Sequence, residues 1–543
     1  MTVLDERDAI LSGLPTSLVA LLQGNEQEHP DRPALSWRDG DGWTTLSWSG
    51  YAGLVRRAAL ALVAAGVGPG DRVALLAGNR PEHVVLDLAV LTVGGVPVSV
   101  YPTLAPEQLT HVLADSGAVL ALVDRAGRDR MERARAGAPA LRTVVELDDW
   151  EAFLASGDGA VPDRAPALDD PATVIYTSGT TGHPKGVVLT QRNVLFLLGA
   201  LDGVTGFPAG YVNVSYLPLA HVAERIFSHW FGLLRHGHTW FCTDQADLLP
   251  TLVAARPEAF LGVPRVWEKL RQGLSAALPV PVDQLPAQAR DGVRAQIGLD
   301  RCSFAVSGAA PMSVDVLEFW SQLGLPIHEA YGMTETTGVT NMNRPGDTLF
   351  GTVGQALPGV EVRLREDGEV VARGPNLMAG YLGQDGESPL DDDGWLATGD
   401  LGEISPDGRL RITGRKKELL VTAGGKNVAP VPFEAALREH PLVAHACLVG
   451  DRRPYLAALV VLDPEELARR GAAVDDPAVR AELEALVTAT NAGFARAEQV
   501  KRFAVLARDW GPDSGELTPT LKLRRAAIRE AYADVIEGLH DAT

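Results

Sequence analysis

Cysteine is nearly absent. Cys242, Cys302 and Cys447 are the only three in 543 residues, odd in number and far apart. That argues against a disulfide framework or a Cys-rich zinc site and fits a reducing cytoplasm. An uninterrupted apolar run of the ~18 residues needed to span a bilayer is also missing. The nearest stretch, 84–101, contains Asp87, Gly94, Gly95 and Pro97, and predicts a buried helix followed by a strand. The first residues carry Asp5, Glu6, Arg7 and Asp8 and form no apolar signal-peptide core. Positive charge is in deficit. The 49 basic and 69 acidic side chains give a formal charge of −20, which argues against nucleic-acid binding.

Lysine is the scarcest charged residue. It occurs only at 185, 269, 416, 417, 426, 501 and 522, and arginine supplies the other 42 basic side chains. Where any cation serves, this chain uses arginine. A lysine that remains marks a place where a compact, flexible ammonium is needed. Five of the seven lie in Gly-rich, basic or Thr-rich segments. Lys269 and Lys501 read as chance surface survivors.

What is present is an alternation of helix and strand patterns without internal repeats. Residues 51–65 have helical periodicity, 72–77 a strand, 82–92 a helix and 96–101 a strand. Such alternation implies βαβ units and mostly parallel sheets. Residues 361–366 and 369–373 flank Asp367-Gly368, a hairpin signal, and 408–413 reads similarly. After the basic Lys416-Lys417 the pattern changes: a helix from 434, strands at 443–449 and 456–462, and a helix over 476–492. The expected fold class is α/β. A large N-terminal body (1–415) of parallel and mixed sheets flanked by helices carries a β-subdomain. A hinge (416–417) leads to a small mobile α+β C-terminal domain (418–543).

The most informative segment is Tyr176-Thr-Ser-Gly-Thr-Thr-Gly-His-Pro-Lys-Gly186. It packs three glycines, five hydroxyl residues and a lysine into eleven positions between a strand and a helix. Such a loop can turn backbone N–H groups and hydroxyls toward a polyphosphate, with an ammonium to balance charge. It is not a P-loop, because Gly186 rather than Ser or Thr follows Lys185.

This segment resembles the phosphate-binding signature of the adenylating superfamily that contains acyl-CoA synthetases, firefly-type luciferases and nonribosomal-peptide adenylation domains. Further segments match in the family's order: Tyr216-Leu-Pro-Leu-Ala-His221, Ser307-Gly-Ala-Ala-Pro311, Tyr331-Gly-Met-Thr-Glu-Thr336, Trp395-Leu-Ala-Thr-Gly-Asp400, Gly414-Arg-Lys-Lys417 and Leu517-Thr-Pro-Thr-Leu-Lys522. The resemblance spans roughly residues 20–535.

The resemblance implies roles for individual residues. Thr177, Ser178, Gly179, Thr180, Thr181 and Gly182, with Lys185, hold the β- and γ-phosphates of ATP. Gly308, Ala309 and Ala310 present backbone to the adenine, with Tyr331, Gly332 and Met333 alongside. Thr334 reaches the α-phosphate, and Glu335 contacts Mg²⁺. Asp400 and Arg415 take the ribose hydroxyls, with Ile412 nearby. His221 stands between the acyl and thiol pockets. Lys522 brings an ammonium between carboxylate and phosphate. Lys417 is the hinge, and Gly424-Gly425 lines the tunnel of coenzyme A (CoA).

Residues 410–430, 263–269 and 517–525 are similar to long-chain fatty-acid–CoA ligases of actinobacterial type. The implied activity is an AMP-forming acid–thiol ligase acting on a medium- or long-chain fatty acid, ATP and CoA, in the cytoplasm, as monomer or homodimer. One departure stands out. Only residues 270–305, broken by Pro279, Pro281 and Pro286, fill the gap where this branch usually carries a longer helical insertion. That leaves a specialised-metabolism alternative: an aryl or short acid, or an oxyanion such as nitrite, with an amine or a carrier-protein thiol in trans as acceptor. No carrier segment follows before residue 543.

Overall fold

The structure, a computed structural model, describes residues 3–161, 165–177, 183–384, 388–511, 514–518 and 522–541. Its largest sheet has seven strands in the spatial order 380–381, 185–190, 171–177, 96–99, 72–76, 120–123 and 143–146. The five strands from 171–177 to 143–146 run parallel. Strands such as Leu120–Val123 are buried at every position because helices cover both faces. At the other end the pairing turns antiparallel: 171–177 pairs with Lys185–Thr190, which pairs with Gly380–Tyr381. The loop carrying the phosphate-type segment therefore joins two neighbouring antiparallel strands at this end of the sheet.

A second sheet stacks 259–261, 304–307 and 327–331 in parallel, and adds 341–342 and 355–356 antiparallel. A third is built from 42–47, 33–39, 238–241 and 212–215. A four-stranded antiparallel sheet joins 361–364, 369–373, 396–404 and 410–415. The expected hairpin around Asp367-Gly368 is its first turn. After residue 416 a three-stranded sheet (443–449, 456–462, 500–506) packs with helices Pro430–Arg438 and Pro477–Asn491 around its own apolar cluster.

The chemistry of the elements explains their ends. The helix Trp48–Ala64 starts where the Ser47 side chain accepts from the Gly50 amide. Helix Pro81–Thr92 opens with Pro81, whose missing N–H costs nothing in a first turn. That helix is buried on nearly all sides and still contains Asp87. The charge is tolerated because Arg225 donates to Asp87 Oδ1 at 2.5 Å, while His229 lies 3.1 Å from Oδ2. Arg225 and His229 sit on a π-helical stretch, Arg225–Trp230, inside the chain from Val222 to Leu234. No helix among the described residues is long and apolar enough to cross a membrane.

Candidate active site

A cleft of about 2670 Å³ opens between the sheets of the body and the segment after residue 416. Most of the residues singled out from the sequence line it: Thr177, Lys185, His221, Gly308 to Ala310, Tyr331 to Glu335, Asp400, Ile412, Arg415, Lys417 and Lys522. Gly424 and Gly425 do not line it. They lie in the connection of a two-stranded ribbon, 420–421 with 427–428, where Gly425 supplies a φ of +76°. Ser178 to Gly182 lie outside the described residues.

The floor is strained backbone. Strand Phe304–Ser307 runs into Gly308, where a β-carbon would stand 3.0 Å from the Ala330 carbonyl oxygen. Ala309 follows at φ +70°, a region that L-residues rarely occupy. Thr337, β-branched, is held at φ +56° just after the Thr334–Thr336 turn. Two bonds keep it there: its Oγ1 donates to Asn376 O at 2.6 Å, and Gly338 N donates to Met333 O at 2.8 Å. Gly332 has no alternative, since a β-carbon there would lie 2.4 Å from the Gly338 carbonyl oxygen. Strain of this kind persists only where neighbours enforce it, and it clusters at functional sites.

Asp400 and Arg415 are cross-strand partners on strands 396–404 and 410–415. Arg415 Nε donates to Asp400 Oδ1, and the Tyr331 hydroxyl donates to Oδ2, both at 2.8 Å. Burial, then the Asp400 charge, pushes the Tyr331 phenol well above its usual range, so it stays a donor. Glu335 is buried, and the loss of water raises its pKa above the ordinary carboxylate value. The Tyr381 hydroxyl donates to its Oε1 at 3.1 Å. Among the described residues no three His, Cys, Asp or Glu side chains converge as a metal cage. A cation at Glu335 would therefore take its other oxygens from a polyphosphate and water. That habit suits Mg²⁺, a hard cation that keeps water and substrate phosphates as ligands.

Lys522 enters from the other side. Its backbone is tied to Thr518, whose N–H donates to Lys522 O at 2.8 Å, while Lys522 N donates to Thr518 Oγ1 at 3.0 Å. The residue lines the cleft and is exposed to its water. Desolvation first, and the Arg415 charge second, lower its pKa from the usual lysine value. Asp400, Glu418 and Glu335 pull the other way. His221 caps the short turn Val222–Glu224 by accepting from Ala223 N with its Nδ1, at 3.2 Å. Burial, then Lys522, lower its pKa to about 3, so the ring is neutral with its proton on Nε2.

Ion pairs tie the two sides together. Arg265 meets Asp463 at 2.5 Å, and Lys269 meets Glu465 at 3.1 Å. Lys416 reaches Asp367 and Glu369. Sequence reasoning took Lys269 for a chance survivor; the structure pairs it across the cleft. Two further lining residues escaped notice. Glu329 accepts from Gly351 N at 3.2 Å and is pushed up to about 7 by burial. Tyr381 lies beside both Glu335 and Lys185. Neither belongs to a Gly-rich or charged run that would have flagged it.

With this geometry in hand, comparison with known proteins is direct. Residues 22–382 match the model of the AMP-binding enzyme family, and residues 417–543 match that of the AMP-binding enzyme C-terminal domain. The chain is 36% identical to the long-chain-fatty-acid–CoA ligase FadD15 of Mycobacterium bovis, over 97% of each chain. It is 32% identical to the long-chain-fatty-acid–CoA ligase heimdall of Drosophila melanogaster, covering 97% of this chain and 95% of that one. Among solved structures, the A domain of the carboxylic acid reductase from Segniliparus rugosus superposes with a TM-score of 0.82 at 23% identity, over 97% of this chain and 94% of that one. The anthranilate CoA ligase AuaEII gives 0.79 at 21% identity, over 96% and 98%. These two likenesses support the α/β architecture, and the sequence matches settle the kinship: the chain belongs to the AMP-binding enzyme family.

Proposed function

We propose that the protein is an AMP-forming fatty-acid–CoA ligase. It adenylates a medium- or long-chain fatty carboxylate with Mg-ATP, then transfers the acyl group to CoA. The observation that carries this reading is the convergence of Lys522, from the far end of the chain, on Glu335, Asp400, Arg415 and His221. The names of the relatives, long-chain-fatty-acid–CoA ligases, supply the substrate class.

In the first step a carboxylate oxygen attacks the α-phosphorus, and the bond to pyrophosphate breaks. Little covalent work falls to the protein, so positioning and electrostatics carry the rate. Lys522 meets the negative charge shared between acyl oxygen and α-phosphate. Thr334 donates to the α-phosphate, and Lys185, with Thr177, serves the outer phosphates. Asp400 and Arg415 orient the ribose. Glu335 would hold the Mg²⁺ that accompanies ATP, and that cation would supply neutralisation of phosphate charge. The neutral ring of His221 separates the acyl and thiol sides without competing for the acid's charge. In the second step the CoA sulfur attacks the acyl carbon and AMP leaves. Before that attack the body (1–415) and the C-terminal domain (418–543) rotate about Lys417, withdrawing Lys522 and bringing the Gly424-Gly425 connection toward the thiol. The position of that connection outside the cleft fits an adenylating arrangement. Supplies of ATP and CoA, with three free, buried cysteines, fit a cytoplasmic site of action.

The test is turnover with ATP, Mg²⁺ and a panel of carboxylic acids, with and without CoA, following AMP, pyrophosphate and products by mass spectrometry. Fatty acyl-CoA with stoichiometric AMP is expected, and Lys522→Ala lowers pyrophosphate exchange by about 10²–10³-fold. Turnover only with an aryl acid, or only with a carrier-protein thiol or an amine, overturns the fatty-acyl-CoA assignment.

A further inference from the structure

Tyr381 is half-buried on a two-residue strand and lies outside the seven short motifs quoted above. Its surroundings are nevertheless specific. Gly380 and Tyr381 pair with Val188 and Val187 on strand Lys185–Thr190. Ala379 N donates to Val188 O at 3.0 Å, and Leu382 N donates to Gly186 O at 2.8 Å. Just before this strand, Met378 N donates to Glu335 O at 2.9 Å. The backbone around Tyr381 is thus stapled to the Lys185 strand and to the Glu335 turn at once.

The side chain repeats the connection. Lys185 lies two positions along from Val187, so it shares a sheet face with Tyr381 as a diagonal neighbour. Its Nζ stands 4.9 Å from the centre of the Tyr381 ring, within reach of a cation–π contact. The hydroxyl at the other end of the ring donates to Glu335 Oε1 at 3.1 Å. One rigid aromatic ring spans a cation and an anion that both face the cleft.

We infer that Tyr381 is a positioning residue for Mg-ATP: its hydroxyl sets the Glu335 carboxylate for the divalent cation, and its ring face holds the Lys185 ammonium toward the outer phosphates. This rests on the proposed roles of Glu335 and Lys185. A carboxylate restrained by one hydrogen bond keeps lone pairs for a metal while losing rotational freedom, and a flexible lysine resting on a ring is already part-way ordered before the nucleotide arrives. The two functions separate along the side chain, so two substitutions divide them.

The experiment titrates α,β-methylene ATP, whose bridging carbon prevents cleavage and transfer of AMP, into the full-length protein by calorimetry over a series of Mg²⁺ concentrations. Melting temperatures verify folding. Tyr381→Phe removes only the hydroxyl, and the Mg²⁺ concentration at half-effect should rise about 5-fold while metal-free affinity stays unchanged. Tyr381→Ala removes the ring as well, and metal-free affinity should also fall, by about 2- to 5-fold. Glu335→Gln and Lys185→Met are measured in parallel. If Glu335→Gln abolishes the Mg²⁺ effect and Lys185→Met weakens metal-free binding, but both Tyr381 variants match the wild type, the positioning role is overturned and the underlying site reading stands. If Glu335→Gln keeps the wild-type Mg²⁺ dependence, the metal role of Glu335 falls, and the role of the Tyr381 hydroxyl falls with it.

Discussion

Two Asp–Arg pairs in this molecule use the same chemistry for opposite ends. Asp87 and Arg225 are sealed in the body, 0% and 1% exposed. Arg225 donates to one carboxylate oxygen and His229 lies against the other, and Ser99 takes a second Arg225 nitrogen. Burial alone would raise the Asp87 pKa, but these partners outweigh it and hold it at about 2. Asp400 and Arg415 also pair directly, at 2.8 Å, yet the Arg415 side chain is 39% exposed and both residues line the cleft. A sealed pair, out of reach of water and of any ligand, serves the structure. A pair with one open side keeps lone pairs and N–H groups for a ligand. Residue type does not distinguish the two; access to water does.

Acid should break the sealed region first, and by the widest margin. Burial lowers His83 to about 3 and His238, His328 and His445 to about 4. A histidine kept neutral in the fold contributes stability that is fully present above its unfolded value near 6.5. That stability is lost as pH falls toward 4, because the unfolded chain binds the extra protons. Glu224 and Glu329, raised by burial to about 7, act the other way, their contribution being lost as pH rises from 4.5 to 7. The histidines are more numerous, so denaturant midpoints should drop steadily between pH 6.5 and 4.5. Asp87 adds to the loss below about 4. Midpoints that stay level down to pH 4.5 would contradict the buried, neutral state of these rings.

Asp87→Ala comes next. It leaves the Arg225 guanidinium buried without its counter-charge, a cost of about 3–5 kcal/mol. The expected outcome is a large fall in melting temperature, with little change in the KM for ATP of the protein that remains folded. Asp400→Ala should reverse this ranking: at most about 1 kcal/mol of stability, because the pair is partly solvated, but a KM for ATP raised about 10-fold or more. Equal stability losses for the two variants would erase the distinction between sealed and open pairs.

The smallest effect concerns the ion pairs that cross the cleft. Arg265→Ala with Lys269→Ala should slow pyrophosphate exchange only about 2- to 5-fold, since such pairs contribute about 1 kcal/mol or less. Raising the salt concentration should remove most of the difference from the wild type, because Lys269 is half exposed. A salt-independent difference would point to altered packing instead of charge.

Much of this was legible beforehand. Strands 443–449 and 456–462 appear where the sequence places them, and helix 477–491 falls within the expected 476–492. The chemistry-bearing loops were legible for a different reason. A polyphosphate needs consecutive backbone amides, hydroxyls and an ammonium, and only a compact run of glycines, threonines and lysine provides them. The segment at 176–186 therefore announces itself in one dimension.

What stayed hidden joins residues remote in the chain. Tyr381 meets Glu335 and Lys185, Asp87 meets Arg225, and Lys269 meets Glu465 through contacts between different elements. Local periodicity records which face of an element is apolar, not which other element covers it. The sequence by itself determined the family, the order of the elements and the residue types at the proposed nucleotide site. Only the tertiary structure decided which charged pair is sealed and which is open, and that a lysine near the end of the chain faces a carboxylate on the Thr334–Thr336 turn of the body. Burial and electrostatic partnership are properties of packing, and packing is set by contacts between segments that the local pattern does not contain.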